Sequence, residues 1–206
     1  MKKILLIISA LALTLSLGAQ TKDAVLKNVE KAKATVENPK KASNPAAWMK
    51  LAETYVSAYN YPQSGLWIGA QAMEAKLVLK GQQVLSTETR NCSGIDFTVE
   101  VYEDKEIYFN PDGLLEVINV TKPIIDQPLE CAYEALMKAY EVDVKKSKKE
   151  DIAEQLSKLR DMYINEAMGA YTLGDIKTAN SYFEASLKVL DNPVVEKIDS
   201  MIVYYT

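Results

Sequence analysis

Carboxylates are the only side chains in this sequence whose types and spacing could carry out hydrolysis. The 206 residues include no histidine, which removes the usual general base, the commonest zinc ligand and the familiar nucleophilic triads. Paired acids remain, as at Glu103-Asp104, or Glu37 with other acids, and glycoside hydrolysis needs only two carboxyl groups. Glu103-Asp104 falls in a tight turn between strand-like runs, however, where acids commonly serve solubility. The sequence has no glycine-rich phosphate loop, and its other acids are scattered rather than set at ligand spacing. The expectation is a protein that is not an enzyme, with no catalytic residues, no metal and no cofactor. Two cysteines, Cys92 and Cys131, leave two readings open: a disulfide in an oxidising compartment, or free thiols with Cys131 packed on a helix face. The sequons Asn91-Cys92-Ser93 and Asn119-Val120-Thr121 are short enough to arise by chance.

The elements that would hold such residues begin after a leader. Met1-Lys2-Lys3, an apolar run from Ile4 to Leu17 and small residues at Gly18-Ala19 have the three parts of a secretory signal peptide, residues 1–19. The run is shorter than the roughly 20 residues that span a bilayer, so export to the periplasm or the outer membrane is expected, without stable membrane insertion after cleavage. A net charge of −4 does not favour nucleic acid as a partner. Lys145-Lys146-Ser147-Lys148-Lys149 is a solvated loop, and Ser147 with Glu150 forms a capping box for the next helix.

Residues 20–81 read as N-terminal helices. Ala24, Val25, Val29, Ala32 and Val36 recur at helical spacing. Asn44-Pro45 starts a second helix through Trp48 to Tyr59, and Tyr61-Pro62 breaks it. A third is expected from Gln63 to Lys80, burying Leu66, Ala70, Met73 and Leu77. From 82 to 127 the period changes to alternation: Ile95 to Tyr102, Glu106 to Phe109 and, after Asn110-Pro111-Asp112-Gly113, Leu114 to Val120 form a small antiparallel meander. It must lean on helices to be stable. Residues 128–206 return to helices and end in an apolar run, Val195, Ile198, Ile202, Val203 and Tyr205. Either the sequence is a fragment of a longer repeat protein or a partner covers this end, and self-association through this C-terminal helix is expected.

Two helical segments share one template. Tyr163, Ala167, Tyr171, Gly174-Asp175, Ala179, Phe183 and Ser186 lead into Asp191-Asn192-Pro193. Trp48, Leu51, Ala52 and Tyr55 repeat the first half of that pattern, and Ala132, Leu136, Ala139 and Val142-Asp143 repeat the second. Small residues allow two antiparallel helices to approach and Gly174 gives the tight turn. Together with Val101-Tyr102-Glu103-Asp104-Lys105, Tyr108-Phe109-Asn110 and Thr121-Lys122-Pro123, these residues resemble the secreted tetratricopeptide-repeat proteins abundant in Bacteroidetes, whose early repeats are interrupted by a β-hairpin. The resemblance implies a mainly α fold: a right-handed helical solenoid with a small inserted antiparallel β-hairpin or meander.

The same resemblance implies a non-catalytic periplasmic scaffold that binds a protein or peptide segment in its concave groove. Family positions on the first helices assign the groove to Met49, Glu53, Val56 and Ser57, and to Ile164, Met168, Tyr171 and Thr172. Lys50 and Asn165 are the only hints of carboxylate capture. The alternative is a glycan- or peptidoglycan-binding accessory protein that stacks sugars on Trp67, Tyr102 and Tyr108 of the inserted sheet.

Overall fold

Short polar side chains start most of the helices, each accepting a hydrogen bond from an N–H of the first turn. Thr21 Oγ1 receives Ala24 N at 3.3 Å, Asn38 Oδ1 receives Lys40 N at 3.0 Å, Asn44 Oδ1 receives Ala46 N at 3.0 Å, and Asp175 Oδ1 receives Thr178 N at 3.1 Å. The computed structural model describes residues 21–195; the leader at 1–19 and the apolar segment from 196 onward lie outside the described residues. In chain order the elements are α1 (Lys22–Glu37), α2 (Pro39–Ala42), α3 (Pro45–Asn60), α4 (Ala72–Val78), β1 (Ser86–Cys92), β2 (Ile95–Val101), β3 (Lys105–Phe109), β4 (Leu115–Val120), α5 (Pro128–Val142), α6 (Lys149–Thr172) and α7 (Ile176–Leu190).

The helices pack in the order α1, α3, α5, α6, α7. Their shared core includes Val29, Ala52, Leu136, Ile152, Leu156 and Val189, each at most 1% exposed. Ala167 and Ala179, at 0% and 1% exposure, lie where α6 meets α7, and there Tyr163 packs beside Tyr182 with ring centroids 6.3 Å apart. Between α3 and α5 the chain leaves to build an antiparallel sheet in the order β1-β2-β3-β4. Ser93-Gly94 joins β1 to β2 with both residues at positive φ, as a two-residue hairpin turn requires.

Alternation along the strands gives the sheet two buried faces. Tyr102, Ile107, Phe109 and Leu115 pack with Leu66, Ala70, Ala75 and Leu79 from the segment around α4. Phe97, Val99, Tyr108 and Val117 face the other way and meet Leu173 just beyond the end of α6. A bulge at Tyr108/Phe109 lets Leu115 and Val117, two apart in sequence, serve opposite faces. Lys105 is 0% exposed at the start of β3, and its ammonium donates to Gln82 Oε1 at 2.7 Å and Asp104 Oδ1 at 3.0 Å, 5.5 Å from the Tyr102 ring centroid.

The architecture is therefore mixed α and β: seven helices with a four-stranded sheet among the described residues. It replaces the expected mainly α, right-handed solenoid with a small hairpin. Two local features produce the difference. Ser86–Cys92 is a full strand, although its side chains are polar and show no apolar alternation. Residues 63–71 do not form the start of a long helix, because Ser64, Gly65 and Gly69 take left-handed φ of 57°, 77° and 88°. Only α4 remains helical there, and Met73 and Leu77, expected in the core, are 75% and 71% exposed.

One smaller expectation also changes, and an open one is resolved. No capping box forms at Ser147 and Glu150; the buried Asp143 carboxylate gathers that turn instead, accepting from Lys148 N at 2.7 Å, Ser147 N at 3.0 Å and Ser147 Oγ at 3.1 Å. Burial alone would raise that carboxyl, but these three donors hold it below its usual range. Cys92 and Cys131 are free thiols, half-buried in different clusters. The buried ammonium of Lys105 gives the first test of the packing. Gln82→Ala removes one of its two oxygen partners and lowers stability by about 1.5–3 kcal/mol, read from urea unfolding. An unchanged midpoint would mean that Asp104 satisfies the ammonium alone.

Candidate binding groove

The sequence of α3 decides which of its faces stays open. Leu51, Ala52, Tyr55 and Ala58 turn into the helical core, which leaves Lys50, Glu53 and Ser57 on the solvent side. Trp48 Nε1 donates to Ala42 O at 2.8 Å and ties the first turn of α3 to α2. Glu53 is the centre of the open face. It receives Lys50 Nζ at 2.8 Å and, across to α6, Gln155 Nε2 at 3.2 Å, while its carbonyl accepts from Ser57 Oγ at 2.8 Å.

Two depressions meet on this face. One, of about 470 Å3, lies between α1 and α3 and carries Asn28, Lys31, Thr35 and Lys50 on its walls. The other, of about 320 Å3, lies between α3 and α6 over Leu136 of α5, with Val56, Lys158 and Met162 on its walls. Glu53 and Ser57 line both, so the two adjoin along α3 and make up a shallow groove on this face, with a larger polar share on the α1 side than on the α6 side. An open channel of this kind, with mixed polarity and no convergent acid or base, suits an extended chain better than a small reactant.

Beyond Met162, α3 and α6 are joined by a half-buried pair. Tyr59 Oη donates to Glu166 Oε1 at 2.6 Å, with Tyr182 of α7 close enough to feel the Glu166 charge. Burial pushes the Glu166 carboxyl up, offset in part by that hydrogen bond. The Tyr59 phenol is also raised, by burial first and by Glu166 second.

Of the eight residues assigned to a groove from the sequence, Glu53, Val56 and Ser57 line it. Met49 does not: it is 8% exposed and belongs to the helical core, in the first turn of α3, where α1 and α2 pack. Ile164, Met168, Tyr171 and Thr172 are not brought together with the first set. The α6 face toward α3 runs through Gln155, Leu159, Met162 and Glu166, and Ile164 and Met168 follow Met162 and Glu166 by two residues, about 200° around the helix. Met168 and Tyr171 remain 38% and 56% exposed near the end of α6, where a Cβ at Gly169 would stand 3.4 Å from Val117 Cγ1 of the sheet. Sequence reasoning missed Gln155, Lys158, Met162, Glu166 and Tyr59. The four on α6 share one helical face at steps of three, four and four, a signal that the alignment from Tyr163 leaves out.

The aromatic platform for sugars loses two of its three members. Tyr102 and Tyr108 are each 4% exposed, and their hydroxyls donate to Glu100 and Glu106 at 2.8 Å; Trp67 alone is open, at 48%. The chain matches no protein-family model, no curated protein and no solved structure.

Glu166 makes stability depend on pH with a defined sign. A carboxyl that titrates higher in the folded than in the unfolded chain binds its proton more tightly when folded, so stability falls as pH rises from the ordinary carboxylate range through the raised value. Glu166→Gln removes that slope in chemical unfolding followed across this interval. Tyr59→Phe steepens it, with a loss of about 1–3 kcal/mol above the raised value as the half-buried carboxylate loses its donor. Parallel pH profiles for wild type and Glu166→Gln would contradict this account.

Proposed function

We propose that this chain is a non-catalytic, exported binding scaffold that holds an extended protein or peptide segment in the groove across α1, α3 and α6. The single observation that carries the reading is that the two depressions adjoin along α3 at Glu53 and Ser57. Its chemistry fits a peptide backbone with alternating side chains: Asn28, Thr35, Lys50 and Ser57 offer donors and acceptors, and Val56 and Met162 offer an adaptable apolar end. The leader supports the same reading, with the module working in the periplasm or at the outer membrane. With Tyr102 and Tyr108 buried, the sugar-stacking alternative has little surface left to use.

A displayed random-peptide library, selected against the folded chain, supplies a consensus ligand whose affinity is then measured by calorimetry. Ser57→Arg fills the point shared by both halves of the groove on an exposed surface, so it weakens binding about tenfold or more while circular dichroism and melting temperature stay unchanged. Met168→Glu, outside the groove, leaves affinity within about twofold. Loss of binding with Met168→Glu and not with Ser57→Arg would move the site to the far end of α6 and overturn the proposal.

A further inference from the structure

The layer that covers one face of the sheet is apolar on both of its own sides. Toward the sheet, Leu66, Ala70, Ala75 and Leu79 pack with Ile107, Phe109 and Leu115. Away from it, Trp67, Ile68, Met73 and Leu77 are exposed. Of the twelve large apolar or aromatic side chains that stand exposed among the described residues, seven fall between Trp67 and Leu85. Such residues scattered singly need no explanation, but a concentration of them marks a surface that binds something.

The backbone holds these side chains outward. Trp67 and Ile68 occupy the tip of a turn closed by Ala70 N, which donates to Trp67 O at 3.2 Å. β4 grips the base of that turn: Gly69 N donates to Leu115 O at 2.7 Å, and Leu115 N donates to Ala70 O at 2.8 Å. Met73 and Leu77, one helical turn apart, follow on the outer side of α4. Lys76 and Lys80 run beside them. Lys76 Nζ stands 3.6 Å from the buried Glu100 and its side chain is 65% exposed, while Lys80 is exposed and makes no ion pair among the described residues. The one carboxylate of α4, on Glu74, is turned back to accept from Gln71 N at 2.8 Å.

We infer that this face docks on an anionic phospholipid surface. Trp67, Ile68, Met73 and Leu77 enter the boundary between head groups and acyl chains, and Lys76 and Lys80 meet phosphates. Three observations choose lipid over a folded partner. The face is a projecting turn beside a short helix, outside both depressions of the groove, and a bilayer asks no matching shape of it. Its order, apolar side chains and a tryptophan with lysines alongside, is that of a segment lying in a membrane interface. The third is where the leader is attached. α1 and α3 are packed neighbours joined through the four-residue α2, so they run antiparallel. Thr21, next to the leader read at residues 1–19, therefore lies at the end of the helices from which α3 leads into Trp67.

Co-sedimentation of the mature chain with vesicles of phosphatidylethanolamine and phosphatidylglycerol, mixed at about 3:1, tests this. Half of the chain is bound at about 1 mM lipid, weaker than a single myristoyl chain, and binding falls about threefold or more on uncharged phosphatidylcholine vesicles. In a Trp48→Phe variant Trp67 is the single tryptophan, and its emission shifts to the blue on binding. Met73→Glu combined with Leu77→Glu lowers binding about tenfold or more, with circular dichroism melts unchanged because both positions are exposed. Lys80→Glu weakens binding to the anionic vesicles alone. No association at about 1 mM lipid, binding that survives the double substitution, or an unshifted Trp67 emission in the bound chain overturns the inference. So does dimerisation in sedimentation velocity without lipid that the double substitution abolishes, which would make a second copy the occupant.

Discussion

The packing of α3 against α5 is the contact on which the other parts depend. These helices are sequence-distant partners: α3 ends at Asn60 and α5 begins at Pro128, and α4 with the whole sheet is built from the chain between. Closing a long loop costs only slightly more than closing a moderate one, about 0.6 kcal/mol for each doubling of length, so the helical pair tolerates a large excursion. It requires instead that the excursion leave and return at one place. Gln127, in the left-handed region at φ 45°, turns the returning chain into α5, and Leu129, Ala132, Leu136 and Ala139 then reach the core that Ala52 and Tyr55 have entered from α3.

The sheet meets a second constraint, because an excursion of this length must be stable where it stands. A small sheet needs at least one packed face to be stable, and this one is covered on both, by the α4 segment and by the end of α6. The bulge at Tyr108/Phe109 and the buried Lys105 follow from that position. A strand buried on two sides has to send neighbouring side chains into different clusters, and a buried Lys105 Nζ needs oxygen atoms in place of the water it has lost. Gln82 and Asp104 supply them, at the cost of fixing the segment that joins α4 to β1.

How much of this was legible follows from where apolar period and local chemistry agreed. α1, α3 and α5 carry helical spacing with clear caps or prolines, and they form close to where the residues place them. Phe97, Val99, Ile107 and Val117 announce strands by alternation. β1 announces nothing, since a polar edge strand exists through pairing with β2 and not through burial. The segment 63–80 misled for the opposite reason: Leu66, Ala70, Met73 and Leu77 have helical spacing, but two glycines and a serine in left-handed geometry decide the backbone first. Glu53, Val56 and Ser57 could be placed side by side because they lie on the unburied side of an obvious helix. The face of α6 that meets them was hidden, because it depends on the crossing of two helices about a hundred residues apart, and no local pattern at Tyr163 encodes that rotation.

The open face of α3 and the sheet lie on different elements. The face belongs to the helical pair and its neighbours α1 and α6, while β1 to β4 stand in the excursion between α3 and α5. Lys50, Glu53 and Ser57 are therefore held by helices whose core, through Ala52, Leu136 and Leu159, includes no strand residue, whereas the sheet keeps its own two clusters against the α4 segment and Leu173. A substitution within the sheet's clusters changes the packing of the excursion and leaves the geometry around Glu53 to the helices.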